Sequence, residues 1–322
     1  MYRSAAWGIA ALFCMAGFGF AAAPSDPPPP WAFPVNPPHH AAAAPTPDKI
    51  EHVPGSTAAY TDKQLADPFF LADWFPKEHS PLPAIVVFGS KPHTWACGYC
   101  HLPTGTGGPA EAALPGLPAS YIVEQVLEFR AGRRRAAEPK MSSAHHMELE
   151  AKNVSMSDLD AAARYFSGLV FKSYFHVVET DTVPKTEVRA VSLYEKIPGA
   201  GREPIGRRIV EVPDDPKQWE LGNPHAEFTA YVPKGSIRRG EALVASGDGA
   251  APCRTCHGPD LKGVGLVPPL AGRSPSYIVR QLYDIQHGTR AGPTVALMQP
   301  EVAHMSPGDR IGIAAYLASL HP

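Results

Sequence analysis

The chain has 322 residues, 44% of them hydrophobic and 19% charged, which excludes a wholly disordered polymer and suits two domains with a connecting region. Its formal net charge of −2 gives no general electrostatic reason to bind nucleic acid.

In chain order, residues 1–23 read as an export leader. Arg3 supplies the positive start, Ala5 to Phe20 an apolar stretch, and Ala21-Ala22-Ala23 a small-residue cleavage site. The apolar run is short for a membrane span, so membrane contact is expected only through partner complexes or an uncleaved leader. Cys14 is discarded with the leader, because Phe13 is too bulky for a lipoprotein site. Residues 24–60 are Pro-rich, opening with Pro27-Pro-Pro-Pro-Trp31, and favour polyproline II as a solvated tail or surface strap.

Four cysteines remain, in two copies of one spacing, Cys97-Gly-Tyr-Cys-His101 and Cys253-Arg-Thr-Cys-His257. A disulfide or half a zinc site needs no histidine directly after the second cysteine; covalent haem attachment does. Two thiols add across the porphyrin vinyl groups, and the next imidazole reaches iron from the same face. Cys97, Cys100, Cys253 and Cys256 are therefore expected to carry two haems c, with His101 and His257 as axial ligands.

The motifs open longer repeats. Tyr121 and Tyr277 each follow their first cysteine by 24 residues, inside Tyr-Ile-Val-x-Gln, predicting middle helices near 118–131 and 274–287 with Gly132 and Gly288 as C-caps. Ser155-Met-Ser-Asp and Ser306-Pro-Gly-Asp each start a C-terminal helix with a capping signature, ending at Leu169 and Leu320, with Pro307 in the first turn. Eleven residues before Asp158 and Asp309 stand Met147 and Met298, the expected second axial ligands. Met141, His145 and His146 crowd the loop of Met147, and the two histidines keep a bis-His alternative open. Met156 and Met305 are expected to pack, and His287 and His304 to lie on the surface or in loops. Ser236 is expected to cap a helix leading into the second motif. The segment Pro81 to Gly89, with two prolines and a β-branched pair, makes a poor helix start, so that helix is expected to be shortened or distorted in the first copy.

Residues 171–234 alternate apolar and polar at Phe175–Val178, Thr186–Tyr194, Arg208–Val212 and Glu227–Val232, predicting a small β-containing insert over or between the domains. The run Arg130-Ala-Gly-Arg-Arg-Arg135 is expected in a solvated loop, with a docking patch as its functional reading.

These residues together resemble the di-haem c-type cytochromes of bacterial periplasms. The fold this implies is mainly α: two class I cytochrome c domains in tandem, residues 61–170 and 235–322, joined by a long irregular and β-containing connection over 171–234. The resemblance implies a periplasmic electron carrier with no catalytic residues of its own, exchanging electrons with other redox proteins. Two enzyme readings stay open, a di-haem peroxidase and a sulfur-compound dehydrogenase. Methionine at matching places in both halves argues against the peroxidase, which needs one iron able to open a coordination position.

Overall fold

The computed structural model describes residues 26–38, 46, 48–189, 192–247 and 249–322. Residues 1–23, expected to be an export leader, lie outside the described residues. None of the described helices is long and apolar enough to cross a membrane.

Short strands β1 (Ile50–Glu51) and β2 (Tyr60–Thr61) pair antiparallel, followed by the single turn α1 (Asp62–Leu65). Helix α2 (Ala84–Phe88) precedes the first motif and is one turn long. Pro83 fixes its entry, and Gly89 ends it where a Cβ would lie 2.2 Å from the Thr94 carbonyl oxygen. The shortening expected from Pro81 and Pro83 is thus present. Helix α3 (Cys97–His101) holds the motif, α4 (Ala119–Arg130) is the middle helix, and α5 (Ser142–Asn153) carries Met147. Helix α6 (Met156–Ser167) starts at Ser155, whose side chain accepts from Asp158 N. Its amphipathic face sets Ala162, Ala163, Tyr165 and Phe166 against Ile85, Val86 and Ile122, with Cys97 at the edge of that cluster.

The insert begins with β3 (Phe175–Thr180). It continues through β4 (Thr182–Pro184), β5 (Thr186–Arg189), β6 (Leu193–Lys196), β7 (Arg202–Pro204) and β8 (Val210–Pro213), then the turn α7 (Pro216–Glu220) and β9 (Phe228–Pro233). Its sheet has the order β3-β9-β8, with β3 parallel to β9 and β8 antiparallel to it. Strand β9 alternates as a half-covered strand should, burying Phe228, Ala230 and Val232. The run read as one element over Thr186–Tyr194 is two antiparallel strands, β5 and β6, with Val188 opposite Tyr194.

The second copy follows as α8 (Ser236–Ser246), the motif turn α9 (Cys253–His257), α10 (Pro275–Gln286), α11 (Gln299–Val302) and α12 (Pro307–Ser319). The cap of α8 is Gly235 in the left-handed region (φ 81), not Ser236, which is buried as the first helical residue. Ser306 and Asp309 form a reciprocal capping box at α12, with Pro307 in its first turn. Helices α8 and α12 cross at a pair of glycines: a Cβ on Gly240 would stand 1.9 Å from the Gly312 carbonyl oxygen. Only a residue without a side chain lets the two backbones approach so closely.

The Pro-rich segment is more than a surface strap. Ala32 and Phe33 are inside the core of α10 and α12, and Phe33 meets Tyr283 edge-to-face at 5.4 Å. Burying a phenylalanine stabilises by about 2–3 kcal/mol. Asp26 accepts from Arg310 Nη2 at 2.6 Å and faces His287 Nε2 at 3.1 Å, while Tyr283 donates to the Asp26 carbonyl. His287, expected on the surface, is stacked on Tyr283 with ring centres 3.8 Å apart. His304 is exposed as expected, and Met305 packs on the core. Met156 does not pack: it is 50% exposed at the start of α6.

Candidate haem sites

Each motif is one helical turn, so the cysteines three apart lie on one side and the histidine is carried at the end of the turn. His101 and His257 are both buried. The Nδ1 atom of His101 bonds the Ala112 carbonyl at 3.0 Å, and that of His257 bonds the Pro268 carbonyl at 2.8 Å, eleven residues downstream in both cases. This contact fixes the tautomer: Nδ1 carries the proton and Nε2 is left as the ligand atom. Burial pushes the His101 pKa down to about 4, against the Ala112 contact, and lowers His257 in the same way. Both rings are neutral near pH 7, as a metal ligand must be.

The residue after each histidine turns the chain through positive φ, Gly258 at 85° and Leu102 at 63°. Glycine takes that backbone freely; Leu102 holds it under strain of about 1–3 kcal/mol while buried beside its motif.

Met147 is half-buried on α5, and Met298 joins a short 3-10 turn (Val295–Leu297) to α11 against the second core. The two methionines share an anchor that sequence reasoning missed. Glu150, three residues after Met147, accepts from the backbone N–H of Trp95 at 2.9 Å. Glu301, three after Met298, accepts from the backbone N–H of Ala251 at 2.7 Å. Trp95 and Ala251 each stand two residues before the first cysteine of their motif. Each methionine segment is therefore tied to its own motif by an equivalent bond. The repeat Met-x-x-Glu was the available signal. His146, one side of Met147, stacks at a tilt on Trp95 with centres 4.7 Å apart.

A second missed group lies between α4 and α10. Arg134 donates to Gln125 (3.0 Å), Tyr277 (2.9 Å) and Gln281 (3.2 Å). Arg290 donates to Gln281 (2.9 Å), Tyr121 (2.7 Å) and Gln125 (2.9 Å). The six residues occupy matching repeat positions and cross over, so the two copies face each other about a local two-fold relation. The run at 130–135 is therefore solvated only in part: Ala131, Arg133 and Arg135 are exposed as expected. Arg134 is buried, Arg133 pairs bidentately with Glu128, and Arg130 donates to the Ala151 and Val154 carbonyls at the end of α5.

The chain's residues fit haem. The four motif thiols are free, not joined in disulfides, and Cys97 and Cys100 are half-buried neutral thiols whose pKa desolvation pushes up. Among the described residues, Gln125 Nε2 and Arg290 Nε, in the network between α4 and α10, are buried donors with no acceptor. When bound, haem supplies a one-electron couple. The protein pins each imidazole, supplies thiols for attachment and, around His101, excludes water.

Comparison with known proteins agrees. Residues 235–317 match the family model described as cytochrome c oxidase, cbb3-type, subunit III. A thiosulfate dehydrogenase electron acceptor of Thiomonas intermedia is 27% identical over 247 residues, 72% of this chain and 86% of that protein. Cytochrome c-554(548) of Halomonas halodenitrificans is 36% identical over 76 residues, 23% of this chain and 92% of that protein. The chain is a di-haem c-type cytochrome. It is an electron-transfer protein with two haems c, and it works with redox partners. Among solved structures, reduced recombinant cytochrome c4 from Pseudomonas stutzeri covers 70% of this cytochrome and 93% of its own chain, at 22% identity and a TM-score of 0.44.

The two motif surroundings of this cytochrome are not equally covered. The loop after His101 is largely buried, the loop after His257 largely exposed. The insert makes the difference. Trp219 of α7 lies where a Cβ on Gly108 would meet its ring at 2.4 Å, and the Tyr174 hydroxyl donates to the Thr106 carbonyl at 3.3 Å. On the second side, Val264 and Leu266 are 57% and 70% exposed, and Cys256 is exposed.

Proposed function

We propose that this cytochrome is an exported shuttle in which iron is held between His101 and Met147 in one domain, 61–170, and between His257 and Met298 in the other, 235–322. The observation that carries this reading is the repeated pair of restraints. Each histidine is fixed by a carbonyl eleven residues on, and each methionine segment is fixed by a glutamate to the residue two before the motif. Such repetition is expected when two places must present the same ligand pair.

Histidine and methionine together leave no position for substrate, and neither has to leave when iron changes oxidation state. The thioether favours Fe(II) and raises the potential, and burial acts in the same direction. The chain is then a carrier, not an enzyme. The donor we propose is a sulfur-compound dehydrogenase, the class for which the relative from Thiomonas intermedia is named as electron acceptor. The leader at 1–23 and the covalent haems fit delivery to the periplasm.

The test is to mix oxidised holoprotein with thiosulfate, alone and with a thiosulfate dehydrogenase, and to follow reduction of both haems. Reduction of both only when the dehydrogenase is present supports the carrier. Turnover of thiosulfate or peroxide by the cytochrome itself overturns it. Ready carbon monoxide binding at both ferrous irons without denaturant overturns the His/Met ligation.

A further inference from the structure

Arg273, at the entry to α10, sits between the two histidine loops. Its Nε donates to the Pro269 carbonyl at 2.9 Å, its Nη1 to the Ala113 carbonyl, and its Nη2 to the Pro115 carbonyl at 3.0 Å. Pro269 and Ala113 are the same position in the two repeats, twelve residues after His257 and His101. Each follows directly the residue whose carbonyl takes the histidine Nδ1 proton, Pro268 in one loop and Ala112 in the other. One guanidinium thus joins two equivalent carbonyls, each one peptide away from a histidine restraint. The first repeat has Leu117 at the corresponding place, so the bridge is made once, by the second domain.

The environment is water-poor. Arg273 is 6% exposed, its guanidinium lies 4.7 Å over the Phe171 ring, and burial pulls its pKa down to about 10, still well above neutrality. Its side-chain hydrogen bonds all go to carbonyls, none to a carboxylate. A buried cation bonded only to carbonyls is uncommon, because desolvation is costly without a counter-charge. Carbonyl dipoles hold it here, and its field reaches both histidine loops.

We infer that Arg273 is a positioning residue shared by both haem pockets, which orients the two histidine loops together and, through its charge, holds both irons toward the ferrous state. The inference rests on the reading that His101 and His257 ligate iron. The guanidinium fork matters as well as the charge, since a lysine ammonium cannot reach three carbonyls in one plane.

The experiment uses Arg273→Met and Arg273→Lys holoproteins. The readouts are the two reduction potentials and the low-spin ferric EPR signals of each haem. In Arg273→Met both potentials fall together, by about tenfold in the reduced-to-oxidised ratio at fixed potential, or about 59 mV for one electron. In Arg273→Lys the potentials shift by less than half as much, while the EPR signals of both haems move, because both rings lose their fixed carbonyls. If Arg273→Met does not fold, the lysine variant alone decides. The inference is overturned if either variant alters only the second haem, or if neither potential changes in a folded Arg273→Met. Histidine-coordinated spectra at both irons in the unmutated protein keep the ligand reading in place under that result. Their absence would remove that reading and this inference together.

Discussion

Replacing Gly240 with alanine tests the helix crossing that closes the second domain. A Cβ there stands 1.9 Å from the Gly312 carbonyl oxygen, 2.4 Å from its carbon and 2.8 Å from Tyr316 Cβ, whereas ordinary contact begins at 3.4 Å. The helices must part by about 1.5 Å, and the obstacle is backbone, which cannot swing aside. Overpacking costs about 1–3 kcal/mol in a side-chain core, and a rigid backbone places this site at or above the upper end. Alanine returns about 1 kcal/mol of helix propensity. The net loss is about 2 kcal/mol, or about 10 °C in Tm for a domain of this size. Gly312→Ala is the control: its Cβ meets Gly240 N at 3.3 Å and two further atoms at 3.4 Å, so the propensity gain keeps it level or slightly more stable. Thermal unfolding of the two holoproteins, followed by far-UV circular dichroism, decides the matter. Equal melting of Gly240→Ala and Gly312→Ala would refute the close-crossing argument.

Three further outcomes follow from the geometry. Glu150→Ala and Glu301→Ala release the methionine segments, so each variant binds carbon monoxide at its own ferrous haem at least about tenfold more readily, a loss of about 1.4 kcal/mol in ligand holding; equal binding at both haems in a single variant would contradict the local role. Asp284 is buried, and burial lifts its carboxyl to about 6 although Thr289 and Ala137 bond it. A raised folded pKa means stability is full below about 4 and declines as pH rises through about 6. Relative to Asp284→Asn, the unmutated protein should therefore lose about 3 kcal/mol across that window, read from denaturant midpoints at a series of pH values. Trp219→Ala uncovers the loop beside the first motif, costs about 3 kcal/mol and lowers the first haem's potential while leaving the second unchanged, as redox titration would show.

The parts of the fold visible in the chain were those with short-range causes. Ser155 and Ser306 announce helix starts because a hydroxyl satisfies a nearby free N–H, and Gly132 and Gly288 announce ends because both adopt positive φ (69° and 73°). The prolines before α2 announce its brevity. The long-range pairings were less legible. Nothing in the alternation of Phe175–Val178 says that β3 runs parallel to β9, a partner over fifty residues on. The polar run at 130–135 looks solvated by composition, yet Arg134 is buried because a partner set from the other repeat meets it. Its match with Arg290, each thirteen residues after its repeat's tyrosine, stood in the sequence but carried no meaning until the copies faced each other. The anchors Glu150 and Glu301 likewise needed the fold to reveal their acceptor role.

The attachment of Asp26 to Arg310 and of Phe33 to Tyr283 has a consequence for how the molecule matures. A segment that leaves the ribosome early must wait for nearly the whole remaining chain before its binding groove exists. Until then Phe33 and Trp31 are bare apolar groups on a tether, and the last helix lacks one wall of its core. Completion of the second half is thereby made dependent on residues synthesised more than two hundred positions earlier.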